Sequence, residues 1–201
     1  MVALLAGCYG LASAARMHTI LVVGDSLSAE YGLNRGEGWV ALLQKRLDAR
    51  KIPARVVNAS ISGDTTAGGR SRLAALLAQD KPDIVIIELG GNDALRGLPL
   101  GMTEDNLAHM TEQAQKAGAR VLLVGVQVPP NYGADYTNRF ATLFRRVARE
   151  HKAAVVPSIM AGFGDAADSQ RWFQADRIHP IAQAHPRMLD NVWPQLAKLL
   201  A

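Results

Sequence analysis

A serine, an aspartate and a histidine stand in this chain where they could carry out acyl transfer. Ser26 lies in Gly24-Asp25-Ser26-Leu27-Ser28, just past the apolar run Thr19–Val23, and His179 follows Asp176 in Asp176-Arg177-Ile178-His179-Pro180. A spacing of three lets one turn set the carboxylate against one imidazole nitrogen, leaving the other free to take a serine proton. The neutral ring is a base near physiological pH. A serine at the entrance of the following helix would also meet outward-facing backbone N–H groups. Taken alone, Ser26 suits a helix cap equally well, and a lone Asp-x-x-His is a weak signal.

Attack on an acyl carbonyl also needs donors for the developing oxyanion. The backbone N–H of Ser26, the backbone N–H of Gly63 and the side-chain amide of Asn92, in Gly90-Gly91-Asn92-Asp93, could supply them. Gly63 could equally be a plain turn glycine, and Asn92 could simply tie its own loop together. The signal is the combination.

The elements that must position these residues alternate in period. Short apolar runs at Thr19–Val23, Arg55–Asn58, Asp83–Leu89, Arg120–Val126 and Ala153–Val156 read as strands. Helical spacing covers Gly38–Arg50, Thr66–Gln79, Thr103–Ala117 (with Thr103 as N-cap and Asn106 in place of a capping-box Glu), Asp135–His151 and Ile181–Leu200. Pro186 and Pro194 should break or offset the ends of the last helix. Met160–Asp176 reads as a long loop with at most a short helix. Strands alternating with helices predict an α/β fold on a mostly parallel sheet, with central strands apolar on both faces. Ligands collect at the carboxyl ends of such strands, where all the polar clusters fall.

Composition narrows the function classes. The chain of 201 residues fits one domain. The sole cysteine, Cys8, excludes an intramolecular disulfide, a thiol nucleophile in the body and cysteine-rich metal sites. The formal charge of +4 is spread thinly; its densest cluster, Arg145, Arg146 and Arg149, reads as a solvated helix face, not a nucleic-acid surface. Neither a dinucleotide fingerprint nor a P-loop occurs, and His109 and His151 sit outside any ligand triplet, so no cofactor and no metal are expected. His185 reads as a surface or capping residue.

The first 14 residues read as a signal peptide, with Ala12-Ser13-Ala14 as the cleavage site and 15–201 as a single mature domain. The stretch is too short to span a bilayer. Leu5-Ala6-Gly7-Cys8 resembles a lipoprotein box, but only seven residues precede the cysteine.

Gly24-Asp25-Ser26-Leu27-Ser28, Gly63, Gly90-Gly91-Asn92-Asp93 and Asp176-x-x-His179-Pro180 together resemble the four blocks of the SGNH (GDSL-type) hydrolase superfamily, in its branch of bacterial thioesterases, lysophospholipases and arylesterases. The similarity extends through Asn58–Thr65 and Val128-Pro129-Pro130-Asn131-Tyr132-Gly133. It implies a three-layer α/β/α sandwich with a five-stranded parallel sheet, flavodoxin-like in order. It also implies Ser26 as nucleophile, His179 as base and then acid, Asp176 as orienting carboxylate, and Ser26, Gly63 and Asn92 as oxyanion donors. Asp25, Leu27, Pro129, Asn131, Tyr132 and Ile178 become substrate-binding residues, with Pro129–Tyr132 as a mobile loop beside the acyl channel. The substrates implied are fatty acyl thioesters, simple esters and lysophospholipids, for a periplasmic or secreted monomer in a Gram-negative bacterium. A carbohydrate O-deacetylase with the same apparatus is the alternative; the apolar Leu27, Leu98 and Ile178, expected near the groove, favour acyl chains. Arg177 departs from the small residue, commonly Gly, found after the catalytic Asp in the family, and is expected to turn outward at the groove rim.

Overall fold

In a computed structural model the described residues are 16–128, 132–164, 166 and 168–201. The proposed leader therefore lies outside them, as do Pro129 and Asn131. The elements run β1 (His18–Gly24), α1 (Trp39–Ala49), β2 (Ala54–Asn58), α2 (Thr66–Asp80), β3 (Ile84–Glu88), α3 (Gly91–Leu95), α4 (Leu100–Lys116), β4 (Arg120–Val124), α5 (Ala134–Glu150), β5 (Ala154–Val156) and α6 (His185–Leu200). Short 3-10 turns occupy Ser169–Trp172 and Ala182–Ala184.

The five strands pair in parallel in the order β2-β1-β3-β4-β5. β3 is buried at every position, as is β1 beyond His18, because helices cover both faces. α1 packs on α6, while α2, α4 and α5 pack in series, giving the expected sandwich. Between them Trp39, Phe140, Phe144 and Phe163 fill the core, fully buried. β1 and β3 are neighbours in space, but the chain leaves β1 towards β2 on one side and returns to β3 on the other. Their carboxyl ends therefore open into the crevice where ligands bind in open parallel sheets.

Three local expectations are corrected. Thr103 is not the cap of α4: the helix begins at Leu100 behind Pro99, whose φ of −59° is already set for helix entry. Thr103 and Asn106 are instead buried one turn inside, bonded to Asp93 and Thr66. The polar pair that resembled an imperfect capping box serves a tertiary network. The last helix starts at His185 after a 3-10 turn, with Pro186 in its first turn, but Pro194 sits inside it without ending it. Of the two readings of His185, the surface one is corrected and the capping one holds. It is 2% exposed, and its Nδ1 accepts the N–H of Trp39 at 3.0 Å, capping α1 from a distant helix. Burial pushes its pKa down, keeping it the neutral acceptor this bond requires. α3, one turn long, gave no periodic signal.

Candidate active site

Loops after β1, β2 and β3 meet the segment before α6 at the crevice. After β1 the chain makes tight turns and not a regular helix; α1 begins only at Trp39. Asp25, not Ser26, caps that turn: its Oδ1 accepts the Leu27 N–H at 3.0 Å. Ser26 is thereby left to another partner. Gly24 makes the turn possible, since a Cβ there would stand 2.8 Å from Ser28 Oγ.

That partner is His179. Ser26 Oγ lies 2.8 Å from Nε2, and Nδ1 lies 2.6 Å from Asp176 Oδ2. In the tautomer these distances favour, Nδ1–H donates to the carboxylate and Nε2 accepts the serine hydroxyl. The other Asp176 oxygen accepts the backbone N–H groups of Ile178 and His179 at 2.9 and 3.0 Å. Partial burial pushes the Asp176 pKa up, but these three hydrogen bonds outweigh it and hold the carboxyl down at about 2. Asp176 is therefore an anion throughout the neutral range.

Ser26 and His179 are 153 positions apart, and Gln174 shows how their loops are joined. Its side-chain amide donates to Tyr31 O at 2.9 Å and to Pro180 O at 3.1 Å, while its N–H donates to His179 O. Tyr31 packs its ring 4.3 Å from the imidazole. Neither residue carries a motif signal, because each acts through a loop remote in sequence.

The three expected oxyanion donors differ in state. Among the described residues neither the Ser26 N–H nor the Gly63 N–H has a hydrogen-bond partner. Gly63 holds φ at +80°, which only glycine adopts without strain, and its carbonyl is fixed by Arg96 at 2.8 Å. Asn92 Nδ2 already donates to Asp25 Oδ2 at 3.0 Å and to Asp64 O at 2.9 Å. To serve an oxyanion it must share or exchange one of these bonds.

A cavity of about 730 Å³ opens beside Ser26, within the range of small-ligand sites. Leu27, Leu95, Val126, Val128, Met160 and Phe173 give it apolar wall, and Asp25, Arg177, Ile178 and His179 also line it. Leu98 does not line it; Leu95, one turn earlier on α3, does. Tyr132 stands 5.9 Å from Tyr136, off the cavity wall. Arg177 is exposed at the rim with φ at +58°, a left-handed conformation that explains why glycine suits this position.

Beneath the loop lies a polar layer that the sequence did not signal. Trp39 Nε1–H donates to Ser28 Oγ at 3.1 Å, and Ser28 Oγ–H donates to Glu88 at 2.7 Å. Asp25 and Glu88 are 2% and 1% exposed. Burial pushes both carboxyls up, Asp25 to about 6 and Glu88 well above the ordinary range, with their mutual repulsion adding to the Glu88 shift.

Residues 22–187 match the GDSL-like Lipase/Acylhydrolase family. The chain is 52% identical to Esterase TesA of Pseudomonas aeruginosa, over 98% of both chains. It is 38% identical to Thioesterase 1/protease 1/lysophospholipase L1 of Escherichia coli K12, over 93% of this chain and 87% of the other. The crystal structure of TesA superposes with a TM-score of 0.86 at 54% identity, covering 90% of this chain and 99% of that one.

Proposed function

The chain belongs to the GDSL-like lipase/acylhydrolase family, and from that premise we propose a two-stage acyl transfer carried by Ser26, His179 and Asp176. It is an enzyme of the serine-hydrolase class acting on carboxylic esters or thioesters. The observation that carries the assignment of roles is the unbroken chain Ser26 Oγ, His179 Nε2, His179 Nδ1, Asp176 Oδ2.

Ser26 Oγ attacks the substrate carbonyl while His179 Nε2 takes its proton. The carbonyl oxygen becomes an oxyanion, received by the N–H groups of Ser26 and Gly63 and by the Asn92 amide. Collapse of this intermediate expels the alcohol or thiol, which takes its proton from the imidazolium. Water, deprotonated by the same ring, then attacks the acyl-serine, and the carboxylic acid leaves. Asp176, ionised throughout, fixes the tautomer and stabilises the transient imidazolium.

The apolar cavity supports a fatty acyl group on the acid side, with thioesters, aryl or alkyl esters and lysophospholipids as substrates. Its walls disfavour an acetylated sugar, since polar hydroxyls would lose water without compensating partners. The proposed site of action is the periplasm or the exterior of the cell, reached through the leader at 1–14 and as a monomer. Among the described residues no helix is long and apolar enough to cross a membrane.

The test is a panel of p-nitrophenyl esters from acetate to palmitate, palmitoyl-CoA, a lysophospholipid and an acetylated sugar, with Ser26→Ala as blank. Rising kcat/KM with chain length, abolished in the blank, is the expected result; each buried methylene adds about 0.8 kcal/mol of driving force. Activity confined to the acetylated sugar, or persisting in Ser26→Ala, overturns the reading.

A further inference from the structure

We propose that Glu88 is a positioning residue of the hydrolytic site: its buried carboxyl, at the end of the central strand β3, holds the loop at Ser28, two residues past Ser26, and so sets where Ser26 Oγ stands relative to His179. The proposal rests on Ser26 being the nucleophile.

The register of the sheet sets Gly24 of β1 directly against Glu88 of β3, so this side chain lies where the Ser26 loop leaves the sheet. Glu88 follows Ile84, Val85, Ile86 and Ile87, all fully buried, and is itself 1% exposed. A carboxyl in such surroundings is costly unless its polar atoms are bonded. Among the described residues no cation acts on it; its neighbours are Asp25, which repels its charge, and the hydroxyl of Ser28. Glu88 accepts the hydroxyl of Ser28, two residues after Ser26, at 2.7 Å. On the other side of Ser26 it is the sheet register, with Gly24 opposite Glu88, that fixes where the loop begins. One carboxyl thus holds the segment just past the nucleophile from beneath, while the indole of Trp39 fixes the far side of Ser28.

The grip extends to the oxyanion side. Asp25 Oδ1 holds the Leu27 N–H and Asp25 Oδ2 holds the Asn92 amide, so a shift of Asp25 moves Asn92 with it. Burial raises the Glu88 pKa well above the ordinary carboxylate range, which favours the protonated form. A protonated carboxyl still accepts through its carbonyl oxygen, and a glutamine of the same shape can do the same. An anion is not required for this role, only an acceptor at this point.

The experiment compares the full chain with E88Q, E88L, S28A and I86A, the last a core truncation on the same strand that touches neither flank. Four quantities are read: kcat, KM on a short p-nitrophenyl ester, the rate of covalent labelling of Ser26 by a fluorophosphonate, and the thermal midpoint. Because a displacement of about 1 Å at a reacting centre costs on the order of 100-fold, E88L should lose kcat and labelling rate by roughly that factor, with KM within about threefold of native. E88Q should restore both to within about threefold, and S28A, which removes the hydroxyl that Glu88 holds but leaves the carboxyl in place, should fall between. I86A should lower the midpoint and leave kcat of the folded protein unchanged. Should E88L fail to fold, S28A carries the test, with kcat about tenfold down and KM unchanged. The proposal is overturned if S28A and any folded E88L turn over within about threefold of native, if E88Q is as impaired as E88L, or if I86A loses kcat equally. Failure of the underlying reading would look different: the native protein would not be labelled at Ser26.

Discussion

In the proposed mechanism Asn92 is the oxyanion donor whose state in the free protein differs from its working state. Both of its amide protons are engaged, by Asp25 and Asp64, whereas the N–H groups of Ser26 and Gly63 have no partner among the described residues. Existing bonds hold the amide beside the site and share it when charge develops. Asn92→Ala should therefore lower kcat by about 10²–10³ while KM changes little, as for single oxyanion donors elsewhere. Steady-state kinetics on a p-nitrophenyl ester check this; a drop confined to KM would make Asn92 a binding residue only. Arg177 makes the opposite case. Its left-handed conformation costs about 1–2 kcal/mol, and glycine would remove that while losing about 0.5–1 kcal/mol to its greater freedom in the unfolded chain. Arg177→Gly should thus be stabilised by no more than about 1.5 kcal/mol, raising the melting temperature by roughly 3–6 °C or less. Turnover should persist, with the balance between charged and neutral leaving groups altered. Complete loss of turnover would refute a rim position.

Two contacts between elements decide whether the site assembles. Gln174 ties the segment before α6 to the turn after β1 through Tyr31 O and Pro180 O. Each such bond contributes about 1 kcal/mol net, so Gln174→Ala should reduce global stability modestly while letting His179 wander from Ser26. We expect kcat to fall about tenfold, with the loss recovered in part by Gln174→Asn only if chain length permits the same reach. Asp93 does for α2, α3 and α4 what Gln174 does for the loops. Fully buried at the start of α3, it accepts the N–H and hydroxyl of Thr66 at the N-terminus of α2 and the hydroxyl of Thr103 in α4. Removing one partner from a buried network leaves its donors unsatisfied at about 1–3 kcal/mol each, so Asp93→Ala should destabilise by about 3 kcal/mol or more in urea titration. These networks also mark where local reading ended. The 3.6-residue period placed α1, α2 and α5 within a residue or two, because burial of one face is written in each helix's own sequence. The start of α4 differs from the sequence expectation because Thr103 and Asn106 look like a local cap but serve tertiary partners, Asp93 ten positions away and Thr66 forty positions away.

At the scale of the whole molecule the buried carboxyls set how stability follows pH. Glu88 and Asp25 have folded-state pKa values raised by burial, Asp25 to about 6 from 3.8. Between the unfolded and folded values the native state binds more protons than the unfolded chain, so their stabilisation is full at low pH and is lost as pH rises through 4 to 6 and beyond. His179, Asn92 and the Leu27 N–H partly hold Asp25 down, and Asp64 pushes it up. Asp176 runs the other way. Its pKa of about 2 makes its contribution present above 3.8 and lost as pH falls towards 2. These groups together should place the stability maximum on the acid side of neutrality, near pH 4, and E88Q should flatten the decline above it. Urea unfolding at a series of pH values measures both; a native protein whose stability climbs from pH 5 to 8 with the E88Q slope unchanged would show Glu88 to be ionised in the fold.

The alternation of strands and helices, the apolar character of the central strands, and the polar blocks at their carboxyl ends are all legible in the amino-acid sequence. They are so because burial and turn formation act over a few residues, where periodicity and glycine leave a direct record. The sequence also carried Ser26, Asp176 and His179 as candidates, by residue type and by the three-residue spacing of the last two. It took the assembled sheet to bring Ser26 Oγ to His179 and not to its own turn, to bury His185 against the start of α1, and to bond Glu88 to Ser28 and Gln174 to Tyr31 and Pro180. Those outcomes depend on the β2-β1-β3-β4-β5 order and on the register that sets Gly24 beside Glu88. Hydrogen bonds between loops more than a hundred positions apart leave no periodic trace, because their partners are chosen by the sheet that brings them together.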